Sequence, residues 1–416
     1  MKKVLLGTTA LLAAGLLSTQ VSAGAVEASK LVVSITGGGT FKVEYKSRQT
    51  GWATGETEDV SYRNHNADFS TEIEFKGSTT LDNGTTAGIE LELETNGTVS
   101  SDDFIWVQGT FGKFYLGDRD SEELEETIDR TYSGVGLLTA DVSTDASATV
   151  KNNAAITSSA DTQGKANTKV TWVAPTVGGI EFAINYTPHL GEDQTANTTN
   201  QDVAGLGEDL LIGLKWTGAM GAAAVKVSFG YGVTKAEDPG TDKDIEDDKR
   251  QRLGFEISGI SGITVGGYYM THADDAAATT PTEDETSVGI GGKWESGVWE
   301  VGVGWETSKH DEMTDADVNV KDGTDEVTRM DIGVNYDLND DMLIKVGYRQ
   351  EKYDDDQNVA TNENNTKSLD FKFEWNVGDG LEFDIGLQNF RYTHHDGPTA
   401  GKKTGTAAYV LTKVSF

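Results

Sequence analysis

Strict alternation of large apolar and polar side chains, repeated almost end to end in segments of about nine to twelve residues, constrains this chain more than any other feature. Phe69, Thr71, Ile73 and Phe75 share one face of such a segment while Ser70, Glu72, Glu74 and Lys76 share the other. The next segment sets Ile89, Leu91 and Leu93 against Glu90, Glu92 and Glu94. Late in the chain, Leu369, Phe371, Phe373 and Trp375 oppose Asp370, Lys372 and Glu374, and Leu381, Phe383, Ile385 and Leu387 oppose Glu382, Asp384 and Gln388. Successive side chains of an extended strand point to opposite faces, so each segment is a strand with one apolar and one wet side. Its length suits a tilted strand crossing the apolar layer of a bilayer.

The connections sort by length. Tight links at 109–112, 175–179, 217–221, 258–262, 295–298, 337–341 and 378–380 alternate with longer polar stretches at 47–67, 118–167, 188–207, 235–249, 273–284, 309–325, 354–366 and 393–402. A soluble sandwich has no reason to sort loops this way; an outer-membrane barrel does, with periplasmic turns and extracellular loops. The expected fold is all-β, a transmembrane antiparallel β-barrel of about eighteen strands, with sixteen left open. Trp106, Trp172, Trp216, Tyr269, Trp294, Trp299, Trp305, Tyr336, Tyr348 and Trp375 are expected on its membrane face, many near strand ends where amphipathic rings favour the interface.

The N-terminus supplies the route to that membrane. Lys2 and Lys3 precede an apolar run at 4–17, and Val21-Ser22-Ala23 ends in a small-residue cleavage pattern. Residues 1–23 therefore read as a secretory signal peptide, leaving 24–416 as one barrel domain. The apolar run is shorter than the roughly 20 residues of a spanning helix. The 49 Gly, 5 Pro and absent Cys suit strands joined by turns in an exported protein. The formal charge is −34; losing the two signal lysines takes it to about −36, which excludes nucleic acid as a partner because phosphate backbones need basic patches.

Segment 103–119 turns at Gly109-Thr110-Phe111-Gly112 and ends in Leu116-Gly117-Asp118-Arg119. It resembles the strand-turn-strand signature of Gram-negative general porins. Segment 167–186, through Ala174-Pro175-Thr176-Val177-Gly178-Gly179, is similar to the family's return strand, and the chain ends on Phe416 after Val410, Thr412 and Val414 at alternate positions. The resemblance covers essentially the whole chain after the signal and implies a homotrimer. It also implies a terminal Phe416 read by the barrel-assembly machinery, and a long loop, 118–167, folded into the lumen as a constriction. General porins usually have sixteen strands, so a count of eighteen leaves room for a substrate-selective relative.

A barrel this wide keeps an aqueous lumen unless something folds inward. The expected constriction loop opens with Asp118, Arg119, Asp120, Glu122, Glu123, Glu125, Glu126, Asp129 and Arg130. These acids also suit the start of a short helix. The early strands offer Lys42, Glu44, Glu72, Glu74, Glu90 and Glu92 to the pore, a mixed to acidic wall that favours cations. Arg329, Lys345, Arg349 and Arg391 are basic pore-lining candidates farther round. The function expected is passive diffusion of small hydrophilic solutes and ions; a selective channel for sugars or organic acids, or a structural barrel or adhesin, are the alternatives. A selective channel would want an aromatic track or basic ladder, and the inward faces show neither clearly. His65, His189, His272, His310, His394 and His395 fall in or beside loops, and no Gly-x-Ser-x-Gly motif occurs, so no enzyme, metal site or cofactor is expected. Acidic loops leave calcium open, bridging the protein to anionic lipopolysaccharide.

Overall fold

The computed structural model describes residues 31–48, 65–94, 103–118, 168–188, 205–237, 247–273, 285–314, 317–354, 363–394 and 401–416. The first strands are β1 (Val32–Arg48), β2 (His65–Thr80), β3 (Thr86–Glu94), β4 (Asp103–Gly109), β5 (Gly112–Asp118) and β6 (Thr168–Val173). There follow β7 (Ile180–Thr187), β8 (Gly205–Met220), β9 (Ala223–Glu237), β10 (Asp248–Ile260), β11 (Ile263–Ala273) and β12 (Glu285–Ser296). The last are β13 (Trp299–Thr314), β14 (Asp317–Asn339), β15 (Met342–Asp354), β16 (Glu363–Gly378), β17 (Leu381–His394) and β18 (Gly401–Ser415). Each pairs antiparallel with its sequence neighbours, and β1 pairs with both β2 and β18. The eighteen-stranded sheet is thus closed, which removes the edges that would otherwise recruit other chains.

Closure happens at the C-terminus. Phe416 donates its N–H to Gly37 O at 2.9 Å and accepts from Gly37 N–H at 3.1 Å. Its ring, 61% exposed, lies on the outer face in line with Val414.

Burial is inverted relative to a soluble protein. Leu369, Phe371, Ile385 and Leu387 are exposed, whereas Asp370, Asp384 and Gln388, at the alternate positions, are buried. Apolar side chains meet lipid and polar ones meet each other inside.

Tight turns join strands on one side. At Ser261-Gly262 both residues have positive φ, 52° and 75°, the type I′ geometry that matches strand twist. A Cβ on Gly262 would lie 2.1 Å from Glu295 O, so only glycine fits.

Two expectations change, and one turn is added. The stretch 309–325 was expected as a loop, but β13 runs to Thr314 and β14 starts at Asp317, pairing Asp311 with Thr324 and Lys309 with Glu326. Backbone pairing continues there because it depends on main-chain groups of the partner strand and not on the polarity of the side chains. A turn at 81–85, which the alternation of apolar residues does not mark, links β2 to β3 with Gly84 at φ 80°. Trp106 points inward, not to the membrane. It shares a face with Phe104 and lies over Gly88, where a Cβ would sit 2.5 Å from its ring.

Candidate functional site

The inner wall of β2 and β3 is acidic by register. Glu74 stands opposite Glu92, Glu72 opposite Glu94, and Lys76 opposite Glu90. The alternation that turns Ile89, Leu91 and Leu93 outward turns the acids inward. Carboxylate oxygens of Glu72, Glu74 and Glu92 lie within 4.8 Å of one another. Like charges facing across a strand pair repel, and neighbours moderate this at the ends of the patch. Lys76 lies 2.9 Å from Glu74 and 3.0 Å from Glu90. Thr36 donates to Glu74 at 2.8 Å, and Asp103 accepts from the backbone N–H of Glu92 at 3.1 Å. Glu92 is 5% exposed, whereas Glu72 is open. Among the described residues no other group of three acids or His brings its ligand atoms this close.

The remaining expected residues divide. Lys42 lies 3.7 Å from Glu44, which is 4% exposed, and sits 5.4 Å over the ring of Tyr409. Glu90 is half-buried beside Lys76. Asp118, 5% exposed, ends β5 opposite Asp103 and Thr168. Arg119, Asp120, Glu122, Glu123, Glu125, Glu126, Asp129 and Arg130 lie outside the described residues, as does much of the acidic loops that left calcium open.

Farther round, cations and acids interlock on the inner wall. Arg250 bonds Asp209 and donates to Thr234 at 2.8 Å, while Thr234 donates to Asp209 at 2.7 Å. His272 lies 2.8 Å from Asp248, and both Asp209 and Asp248 are fully buried. Arg252 stacks 5.0 Å over Tyr268, whose hydroxyl donates to Glu306. Arg329 bridges Glu306 and Glu351 at 3.8 and 3.2 Å, and Arg349 meets Asp331 at 2.7 Å. Lys345 reaches Glu374 at 2.8 Å, and Lys372 reaches Glu374 and Asp384 at 2.7 and 3.0 Å.

Arg329, Lys345 and Arg349 therefore face inward as expected. Arg391 does not: its neighbour Phe390 is the inward, buried residue, and Arg391 is exposed on the outer face. The sequence reading missed Arg250 and Arg252. Their alternation with the outward Leu253 and Phe255 was the signal that could have found them.

An inward aromatic patch was also missed. Phe104 and Tyr115 meet edge to face at 5.6 Å, and Lys113 lies 4.3 Å over Tyr115 and 5.1 Å over Trp106.

A closed barrel with polar walls and sorted connections carries a family match. The model for Gram-negative porins matches residues 7–356. The chain belongs to that family. This porin is an outer-membrane channel of a Gram-negative bacterium, embedded in lipid through its apolar outer face. Among solved structures it is similar to OmpT of Vibrio cholerae, at 11% identity over 93% of this chain and 98% of that one, with a TM-score of 0.47. An anion-selective porin from Comamonas acidovorans is 12% identical over 93% of this chain and 100% of that one, TM-score 0.47. A mutant Rh. blastica porin is 14% identical over 92% and 100%, TM-score 0.46. No curated protein matches.

Proposed function

We propose that this porin passes small hydrophilic solutes and ions by diffusion and favours cations. The observation that carries the reading is the inward grouping of Glu72, Glu74 and Glu92, whose oxygens lie within 4.8 Å of one another. A narrow, low-dielectric passage concentrates such a potential on the ion. In this reading Lys42, Glu44, Glu90 and Asp118 line the same side, and segment 118–167, with its acids from Asp120 to Asp129, narrows the lumen. Residues 1–23 are the cleaved export signal, Phe416 is read by the assembly machinery, and the working unit is a trimer. Cations on the inner walls do not reverse the preference, because Arg250, Arg329, Arg349 and Lys372 each sit against carboxylates. A planar-bilayer reversal potential in a salt gradient tests this. The expected sign favours potassium, and a sign favouring chloride overturns the proposal.

Lys113 beside the half-buried Trp106 supports a second reading, a channel that prefers ring-bearing solutes carrying a carboxylate. Ring faces hold such solutes and the ammonium holds the acid group. Concentration-dependent block of ion current by an aromatic carboxylate, absent with acetate, would favour this reading over unselective diffusion.

A further inference from the structure

Among the described residues, three inward rings share one arrangement with their neighbours. Trp106 of β4 stands directly opposite Gly88 of β3, Tyr268 of β11 opposite Gly289 of β12, and Tyr409 of β18 opposite Gly386 of β17. A Cβ on the glycine would fall in the space of the ring, 2.5 Å from it at Gly88 and closer at the other two. Each ring therefore lies over the backbone of the facing strand, where only glycine leaves room.

A cation completes each arrangement from the strand on the other side. Lys113 of β5 lies 5.1 Å over the Trp106 ring, Arg252 of β10 lies 5.0 Å over Tyr268, and Lys42 of β1 lies 5.4 Å over Tyr409. Register makes each cation the diagonal neighbour of its ring: Lys113 pairs with Gln108, Arg252 with Met270 and Lys42 with Leu411, each two residues along from the aromatic residue. Long side chains reach across that diagonal. Glycine, ring and cation thus recur together on three adjacent strands, at three places round the inner wall.

The ring decides where the charge goes. A lysine on the wall of a wide pore can extend its flexible stem toward the axis or lay it along the wall. The negative face of the ring attracts the ammonium and favours the second course. Lys42 is held from another side as well, by Glu44, which pairs with Tyr409 and lies 3.7 Å from Lys42. Arg252 and Tyr268 are buried, whereas Lys42 is 17% exposed and Lys113 and Trp106 are half-buried. The two lysines are the members whose charge faces solvent.

We propose that Trp106 and Tyr409 are positioning residues for permeation: seated on Gly88 and Gly386, they hold Lys113 and Lys42 along the inner wall and keep both ammoniums out of the ion path. Tyr268 on Gly289 holds Arg252 in the same way within the buried part of the wall. Either ion preference of the channel is compatible with this hold, since what is read is the change on releasing a lysine.

The test is a double-mutant cycle on the full-length porin in planar bilayers, read as the potassium-to-chloride permeability ratio from reversal potentials in a salt gradient. Trp106→Leu should lower the ratio about twofold, because the released ammonium swings into the path and attracts chloride. In a Lys113→Gln background the same replacement should leave the ratio unchanged. Trp106→Phe, which keeps a ring face, should stay near the unaltered protein, and Gly88→Ala, which pushes the ring off its seat, should act like Trp106→Leu. An unchanged ratio in Trp106→Leu or in Gly88→Ala, an equal fall with and without Lys113, or a fall that Phe does not rescue overturns the assignment. Should Trp106→Leu not fold, the cycle of Tyr409→Leu with Lys42→Gln carries the same expectation and the same refutation.

Discussion

On β2 and β3, Glu72, Glu74 and Glu92 crowd one another with Lys76 at the end of the patch; on β8 to β11, the buried Asp209 and Asp248 close on Arg250 and His272. Both walls are built from the same alternating strand, and both present acids to the interior. They differ in where the opposite charge sits. On the first wall carboxylates face carboxylates across the strand pair, and in the proposed reading they act on passing ions. In the second, each carboxylate is tied to a cation within the sheet, so its acids act on the wall itself. In that reading identical residue types serve conduction in one arc and cohesion in the other, decided by the neighbour across the strand pair.

If that contrast holds, the largest effect belongs to the interlocked arc. Arg250→Met should destabilise the barrel by about 3–5 kcal/mol, because Asp209 would stay buried without its guanidinium. Urea unfolding in lipid vesicles measures this, and a loss below about 1 kcal/mol would break the comparison. Next comes Gly289→Ala, where the new methyl would sit 2.1 Å from the ring of Tyr268. That ring is held between Arg252 and Glu306, so a loss of about 1–3 kcal/mol is expected in the same unfolding assay.

The acidic arc should respond in the opposite currency. Replacing Glu72, Glu74 and Glu92 by Gln should lower the cation-to-anion permeability ratio about fivefold, equivalent to about 1 kcal/mol, with stability unchanged or slightly raised as repulsion is relieved. Bilayer reversal potentials and unfolding curves on the same variant read both sides of the claim. The smallest effect is at the outer rim: Lys309→Ala removes a 3.4 Å pair with Glu326 that is open to solvent, and stability should move by less than about 0.5 kcal/mol. A larger loss would mean that rim pairs share the cohesion assigned here to the inner wall.

Much of this was legible in the chain. The alternation at 69–76, 89–94, 369–375 and 381–388 marked strands whose faces the structure keeps, and Glu72, Glu74, Glu90 and Glu92 do face inward. Alternation is local, needing only the two-residue repeat of an extended backbone. It failed where a different rule was substituted for it. Trp106 was expected on the membrane face, where aromatic rings favour the interface, and Arg391 in the pore, although parity with Phe104 and with Leu387 pointed the other way. The stretch 309–325 was misread because polar composition was equated with a loop, whereas strand pairing depends on the partner's backbone.

The sequence alone determined an outer-membrane barrel with one apolar and one polar face, because periodicity and strand length are properties of neighbouring residues. Only the tertiary structure decided the pairings: β1 with β18 through Gly37 and Phe416, Glu74 opposite Glu92, Arg250 against Asp209, and Lys367 opposite Arg391. Register fixes those partners, and register is set by turn geometry and closure around the whole sheet, which no single segment contains.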